Sequence, residues 1–170
     1  MMPHFRYLSY VLRHKWHVLY AGLKLGVPIG RLVSHDWTKF TPAEWGPYVR
    51  RFGAGNNSKW EKESDPEEWK DAWSHHWQRN PHHWEYWTRQ HPDTVLWITA
   101  SSEPDAPCLP MPETYTREMV ADWYGAGMAQ GKPDIAGWYG QYGGRMVLDP
   151  DTRARVAQLL GLARERGLIP

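Results

Sequence analysis

Residues 3–26 read PHFRYLSYVLRHKWHVLYAGLKLG, and the class of the whole chain follows from what this segment becomes. Phe5, Leu8, Val11, Leu12, Val18, Leu19 and Leu23 recur at steps of three and four, the period of a helix that buries one face. Gly26-Val27-Pro28 ends it, because glycine accepts the left-handed turn after a helix and proline cannot continue one. Ile29 to Phe40 then reads as a short second helix closing at Thr41-Pro42. Thr41-Pro42-Ala43-Glu44 sets an N-cap hydroxyl, a proline at the first helical position and a glutamate at the third, a capping box opening a helix to about Phe52. Gly53-Ala54-Gly55-Asn56-Asn57-Ser58 lacks period and bulk and reads as a surface loop. Ser64-Asp65-Pro66-Glu67-Glu68 repeats the capping logic and starts a helix through Trp69, Trp73 and Trp77 towards Asn80, where Pro81 either kinks it or begins a new one. Thr94 to Thr99 favours β structure and precedes a proline-rich stretch, Pro104 to Pro112, which predicts a lone strand or an extended lid. Helices follow over Pro112–Gln130 and Pro133–Tyr142, and Asp149-Pro150-Asp151-Thr152 caps a last one ending near Gly167. The chain is expected to be an all-α, single-domain helical bundle over residues 1–170, with a short irregular or β-containing excursion near 92–112.

Twenty Lys+Arg against 19 Asp+Glu leave a formal net charge of +1 over 170 residues, which argues against a basic nucleic-acid arm or an acidic tail. At 41% hydrophobic residues the chain can bury the core of one ordinary domain. Its longest apolar runs, Val95 to Ile98 and Met146 to Leu148, fall far short of the roughly 20 residues that span a bilayer, so no membrane partner is expected. No apolar signal core follows Met1, and the single Cys108 cannot form an internal disulfide; a reducing cytoplasm is the expected setting. The unusual part of the composition is 12 Trp and 9 His beside only 3 Phe, and the histidines carry the chemistry.

On the first helix His14 stands three residues after Val11 and four before Val18, so it shares the apolar face and points inward, where an imidazole needs a partner. A core histidine bonded to a backbone carbonyl is the plain alternative. His35-Asp36 sets imidazole and carboxylate side by side at a helix end, where irregular backbone lets both face one cation, and nitrogen with oxygen suits zinc, iron or manganese. Lys39 follows one helical turn after Asp36 and could hold a phosphate beside that cation. His75-His76 and His82-His83 are pairs seven residues apart, which puts His76 and His83 on one stripe with Asn80 between them and Trp69, Trp73 and Trp87 along it. If Pro81 breaks the helix, His82 faces inward instead; His75 and His82 otherwise form the neighbouring stripe with Arg79 and Tyr86. A polar trio in an aromatic seam is costly unless its nitrogens meet a metal, each other or a ligand, and a metal-free Trp/His stacking surface is the alternative. Asp122 shares a helix face with Tyr115, Met119 and Ala126, where an unpaired Asp is rare; a salt bridge to Arg31 or Arg145 is the alternative to metal ligation.

Taken in order, His14, His35-Asp36, His75/His76, His82/His83 and Asp122 resemble the signature of the HD-domain superfamily of metal-dependent phosphohydrolases: His, then His-Asp, then Asp, with two further histidines in members that bind two metals. SHDWTKF, residues 34–40, looks like that family's His-Asp-x-x-Lys segment. LRHKWHVLYAG, HHWQRNPHHWEYW and REMVADWYGAG also look like a small family of bacteria and their viruses that we place beside the HD proteins and that brings no established activity. Two features depart from the HD pattern: Phe40-Thr41-Pro42 turns directly into a capped helix, and there is no glycine-rich phosphate loop. The resemblance implies one or two divalent metal ions, with Fe, Mn, Zn and Ni left open. One would be held by His14, His35, Asp36 and Asp122, and a second held or assisted by His76, His82 and His83. It further implies hydrolysis of a phosphate-bearing, nucleotide-like small molecule by a metal-activated water, with Lys39 and Arg79 on the phosphate oxygens and Asn80 as an orienting donor.

Two other functions stay open. One is a two-iron HD-type oxygenase using the same ligands; the other is a non-enzymatic Trp/His binding module, which predicts histidines turned outward. A His-Asn-His nuclease, suggested by Asn80-Pro81-His82-His83, needs a β-hairpin leading into a helix, and the region reads as helical on both sides, so there is no strong case for nucleic acid. The tail helix puts Val156, Leu159, Leu160 and Ala163 on one face and Arg153, Arg155, Arg164 and Arg166 elsewhere, a packing helix with a solvated charged face that could also serve a homodimer.

Overall fold

The computed structural model describes residues 2–52, 66–88 and 108–170. Within them the chain is helical almost throughout: α1 (Pro3–Leu25), α2 (Ile29–Ser34), α3 (Pro42–Phe52), α4 (Pro66–Arg79), α5 (Glu113–Gln130), α6 (Ile135–Tyr142) and α7 (Pro150–Glu165). Short 3-10 turns cover Trp37–Phe40, Trp84–Trp87 and Gly143–Arg145. The all-α class read from the sequence holds. The loop expected at Gly53–Ser58, the Ser64-Asp65 half of the second capping signature, the Thr94–Thr99 strand and the start of the proline-rich stretch lie outside the described residues. Among the described residues β structure is limited to one antiparallel bridge, Thr88 to Cys108, where the Leu109 N–H donates to the Trp87 carbonyl at 2.8 Å. No described helix is long and apolar enough to cross a membrane.

The long helices α1 and α5 pack along one another, and Gly125 sets how close they come. A Cβ there would stand 2.4 Å from Val18 Cγ2 and 3.0 Å from the His14 carbonyl oxygen. α7 packs on α5 through Val156, Leu159, Leu160 and Ala163, all buried. With Val18, Ala21, Leu25, Met119 and Val120 they form the larger core, in which burying each Val or Leu contributes about 1.5–3 kcal/mol relative to exposure. A smaller core joins α1, α3 and α4 through Tyr7, Val11, Tyr48, Val49 and Ala72. His14 lies on α1 between Val11 of the smaller core and Val18 of the larger, so a polar cluster built around it is walled by both.

The structure departs from the sequence reading at several places, each with a local cause. α1 carries two apolar rows rather than one: Tyr7, Val11, His14, Val18, Ala21 and Leu25 are packed, whereas Phe5, Leu12 and Leu23 face solvent. Two rows on nearly opposite sides of the helix, about 160° apart, both keep the three-and-four spacing, so the period alone does not separate them. Ile29 to Phe40 is not one helix, because α2 stops at Ser34 and Asp36 takes a left-handed φ of 56° before the 3-10 turn. The capping box at Thr41 does not form: Thr41 Oγ1 donates back to the Thr38 carbonyl at 2.7 Å, and Glu44 turns fully inward. Pro81 neither kinks α4 nor starts a helix; α4 ends at Arg79 and a turn leads into Trp84–Trp87. The cap at Asp149 does form, its carboxylate accepting from the backbone N–H of Asp151 at 3.0 Å and of Thr152 at 3.3 Å. The arginines of α7 are more than a solvated face, since Arg153 donates to the carbonyls of Gly143 and Met146 and Arg155 to that of Met111. The apolar face of that helix is filled by the core.

Candidate metal centre

Five separate pieces of chain bring donors together: α1 supplies His14, the break after α2 supplies His35 and Asp36, α4 supplies His76, the turn after Pro81 supplies His82 and His83, and α5 supplies Asp122. On a regular helix adjacent residues point about 100° apart. The left-handed backbone at Asp36 removes that divergence and lets both members of the pair turn inward, at a conformational cost of about 1–2 kcal/mol. His14 Nε2 lies 3.1 Å from Asp122 Oδ1 and 3.2 Å from Asp36 Oδ2, and His35 Nε2 lies 3.3 and 3.4 Å from the same two oxygens. The other oxygen of Asp36, Oδ1, is 3.3 Å from both His76 Nε2 and His82 Nε2. Two donor sets therefore meet at Asp36: His14, His35, Asp36 and Asp122 form one, and Asp36, His76, His82 and His83 the other, each within 4.8 Å.

The chemistry of these donors fits a cation. His35 Nε2, His82 Nε2, His83 Nε2 and Asp36 Oδ1 are buried with no hydrogen-bond partner, although each of the first two lies near a carboxylate oxygen. Polar atoms that crowd together without bonding one another are aimed at a shared point, and leaving four of them unsatisfied in the interior would be costly. Nitrogen and oxygen donors in this mixture could hold a transition-metal ion.

Behind the donors stand two buried glutamates. Glu118 Oε1 is 3.0 Å from His35 Nδ1 and 3.4 Å from His82 Nδ1, while its Oε2 accepts from Arg31 Nε at 2.6 Å. Glu44 accepts from His75 Nδ1 and from His76 Nδ1, both at 2.8 Å. A carboxylate on Nδ1 fixes the hydrogen there and leaves the Nε2 lone pair for a metal. Asn80 tightens the same corner, its Nδ2 donating to Thr38 Oγ1 at 2.8 Å and to the His76 carbonyl at 2.7 Å.

Burial opposes charge on all these groups, and mutual attraction overcomes it. Against burial, His35 and Lys39 hold the Asp36 carboxyl well below the usual carboxylate range, and hydrogen bonds with His14 and His35 do the same for Asp122. Burial pushes His14, His35, His76 and His82 down, but the surrounding carboxylates outweigh it and raise all four. Glu118, also against burial, is drawn to about 2 by its bonds with His35 and His82. His83 goes the other way, lowered by burial and then by neighbouring His82 and His76. Without a metal the cluster thus holds protons that a cation would displace.

All seven expected ligands, His14, His35, Asp36, His76, His82, His83 and Asp122, come together. Within the first pair it is His76 that reaches Asp36, with His75 half-buried on Glu44; in the second, both members take part. Neither alternative for Asp122 holds, since Arg31 pairs with Glu118 and Arg145 lies over the Tyr142 ring. Lys39 is present as an ion pair with Asp36, partly buried, and held charged well above its ordinary range because Asp36 outweighs the burial. Arg79 is not part of the cluster: it is exposed and donates to the His75 carbonyl at 3.2 Å. His14, His35, His76 and His82 are buried, where a binding module predicts histidines turned outward. Sequence reading misses Glu44, Glu118 and Glu85. Of these Glu118 has a signal, standing one helical turn before Asp122; Glu44 fits a capping box instead; Glu85, pushed up to about 7 by burial, carries no pattern of its own. Trp73 packs against His76 and His83, and Tyr10 stacks on His14, whereas Trp87 leaves this seam for Tyr86 and Tyr115. A cavity of about 730 Å³ bounded by Trp123, Trp138 and Tyr142 includes none of the donors in its lining.

No curated protein and no solved structure matches the chain. One family model does, over residues 3–162, a span that takes in every donor from His14 to Asp122. The donor cluster is therefore carried within a recognised family, and the chain belongs to it: a family of unknown function, DUF5662.

Proposed function

We propose that the chain is a metal-dependent hydrolase of a phosphate-bearing, nucleotide-like small molecule, of the HD-domain kind that the order of its donors resembles. The observation that carries this reading is Asp36, whose Oδ2 faces His14 and His35 while Oδ1 faces His76 and His82, so that one carboxylate serves two donor sets. His14, His35, Asp36 and Asp122 would hold one divalent ion, and Asp36, His76, His82 and His83 a second; the donor mixture suits Fe, Mn, Zn or Ni. Bound there, such ions supply Lewis acidity and lower the pKa of water towards neutrality.

The remaining tasks belong to the chain's own groups. Lys39 is a permanent positive charge beside Asp36 and is suited to a phosphoryl oxygen. Asn80, whose amide is engaged by Thr38 and the His76 carbonyl, acts as a positioning residue for His76. Trp73 and Tyr10 wall the centre and offer faces on which a base could stack. Glu85 keeps a share of its protons near neutral pH, in electrostatic reach of His76 and His82, and so can hold a proton for a leaving group.

Elemental analysis of protein purified without a histidine tag is expected to give one to two equivalents of metal per chain. The loaded protein is expected to release inorganic phosphate from a panel of nucleotides and phosphate monoesters. Iron accompanied by dioxygen uptake, with no phosphate release, would replace hydrolysis by an oxygenase. Protein that neither retains metal nor binds it on titration overturns the reading.

A further inference from the structure

The second apolar row of α1 consists of Phe5, Leu8, Leu12, Trp16, Tyr20 and Leu23. Leu8 is half-buried and the other five are between 43 and 65% exposed. Alongside, Val33 and Trp37 are also exposed, on a segment tied to α1 by Lys15, which donates to the carbonyls of Val33 and His35. Aromatic side chains present 150–250 Å² each and leucines somewhat less, so these fractions leave roughly 700 Å² of apolar surface on one face. That matches the roughly 800 Å² that each partner contributes to a standard interface, and it exceeds the patch an ordinary monomer leaves in water.

The row is also self-complementary. Its steps run three, four, four, four, three, the same in both directions. A two-fold axis crossing α1 near His14 sets Phe5 opposite Leu23 of a second copy and Leu12 opposite its Trp16, with Leu8 near its Tyr20. A closed dimer requires such a patch, because the same surface must serve both partners. We propose that this row is the interface of an antiparallel homodimer. Its rim is basic: α1 carries Arg6, Arg13, Lys15 and Lys24 and no Asp or Glu, so like charges approach one another across the two-fold. Exposed rim charges count for little against the apolar contact, and salt screens them.

Sedimentation equilibrium of the full chain is expected to give a dimer whose dissociation constant falls as salt is raised. Trp16→Glu is expected to raise that constant about 100-fold, since it sets a charge at the centre of the contact, with helicity and bound metal unchanged. A second variant, Leu12→Glu, should do the same, and chains carrying Leu12→Cys mixed with chains carrying Trp16→Cys should give a disulfide-linked heterodimer only if the helices run antiparallel. A monomer at high protein concentration overturns the proposal, as does a dimer that survives both glutamate variants. So does a chain that stays monomeric and binds phosphatidylserine vesicles less tightly as salt rises, because the row would then be a surface for anionic lipid.

Discussion

Asp36 is the residue on which both donor sets depend, and its two oxygens divide the work between them. Asp36→Asn removes the charge while keeping the size, and it is expected to lower metal content to below a tenth of an equivalent, read by elemental analysis, with the helical circular dichroism retained. The two glutamates behind the histidines separate the sets. Glu118 bonds one histidine from each, so Glu118→Gln should weaken both metals by about 10–100-fold, whereas Glu44→Gln should weaken only the set containing His76. A two-step metal titration distinguishes the patterns, and equal losses in the two variants would contradict this division. The same contacts set a pH response in the metal-free protein. His14, His35, His76 and His82 are raised, so their stabilisation is complete below about pH 6.5 and is lost as pH climbs through their folded values. Asp36, Asp122 and Glu118 are depressed, so theirs is complete above about pH 4 and is lost on acidification. Thermal melts in chelator should therefore peak between about pH 4 and 6.5, and bound metal, which needs deprotonated donors, should move that peak upward. The donors are legible in the sequence because histidine and aspartate rarely occupy an apolar helix face unless a polar partner or a cation receives them there. Glu44 is not, because a glutamate two residues after proline satisfies a capping rule equally well, and only the tertiary fold turns it towards His75 and His76.

At the scale of the helix, Gly125 decides whether α1 and α5 close. Gly125→Ala would drive a methyl into Val18 and the His14 carbonyl, costing about 1–3 kcal/mol, and because His14 and Asp122 face each other across that contact the metal should be held less tightly as well. Differential scanning calorimetry and metal titration on the same sample check the two effects together. Asp149→Ala is the control: losing the cap of α7 should cost about 1 kcal/mol, or 2–4 °C in Tm, with metal content unaffected. Helix existence can be read from period and caps, as α5, α6 and α7 illustrate. What period cannot supply is which of two rows on α1 faces the core, since that depends on the partner helix and not on α1 itself. Nor does it show the break at Asp36, which the adjacent His35-Asp36 pair signals instead, and where an aspartate occupies a backbone conformation that glycine would normally take.

For the molecule as a whole, donors drawn from five segments mean that a bound ion would stabilise the folded chain far more than the unfolded one. Stripping it with chelator is expected to lower Tm, and re-adding metal should restore Tm in proportion to the logarithm of its free concentration; a Tm indifferent to metal would disconnect the cluster from folding. The pairing of α1 with α5 has a consequence in time. The first helix to leave the ribosome finds its packing partner only after a long further stretch of chain has been made, and contacts of such long separation are slow to form. Through that interval the nascent chain displays His14, His35, His76, His82 and His83 without Asp122, the last of the donors to be synthesised. An ion captured early would be held by an incomplete set and would still exchange, so the proposed centre would take its metal late, from the ions at hand when α5 arrives.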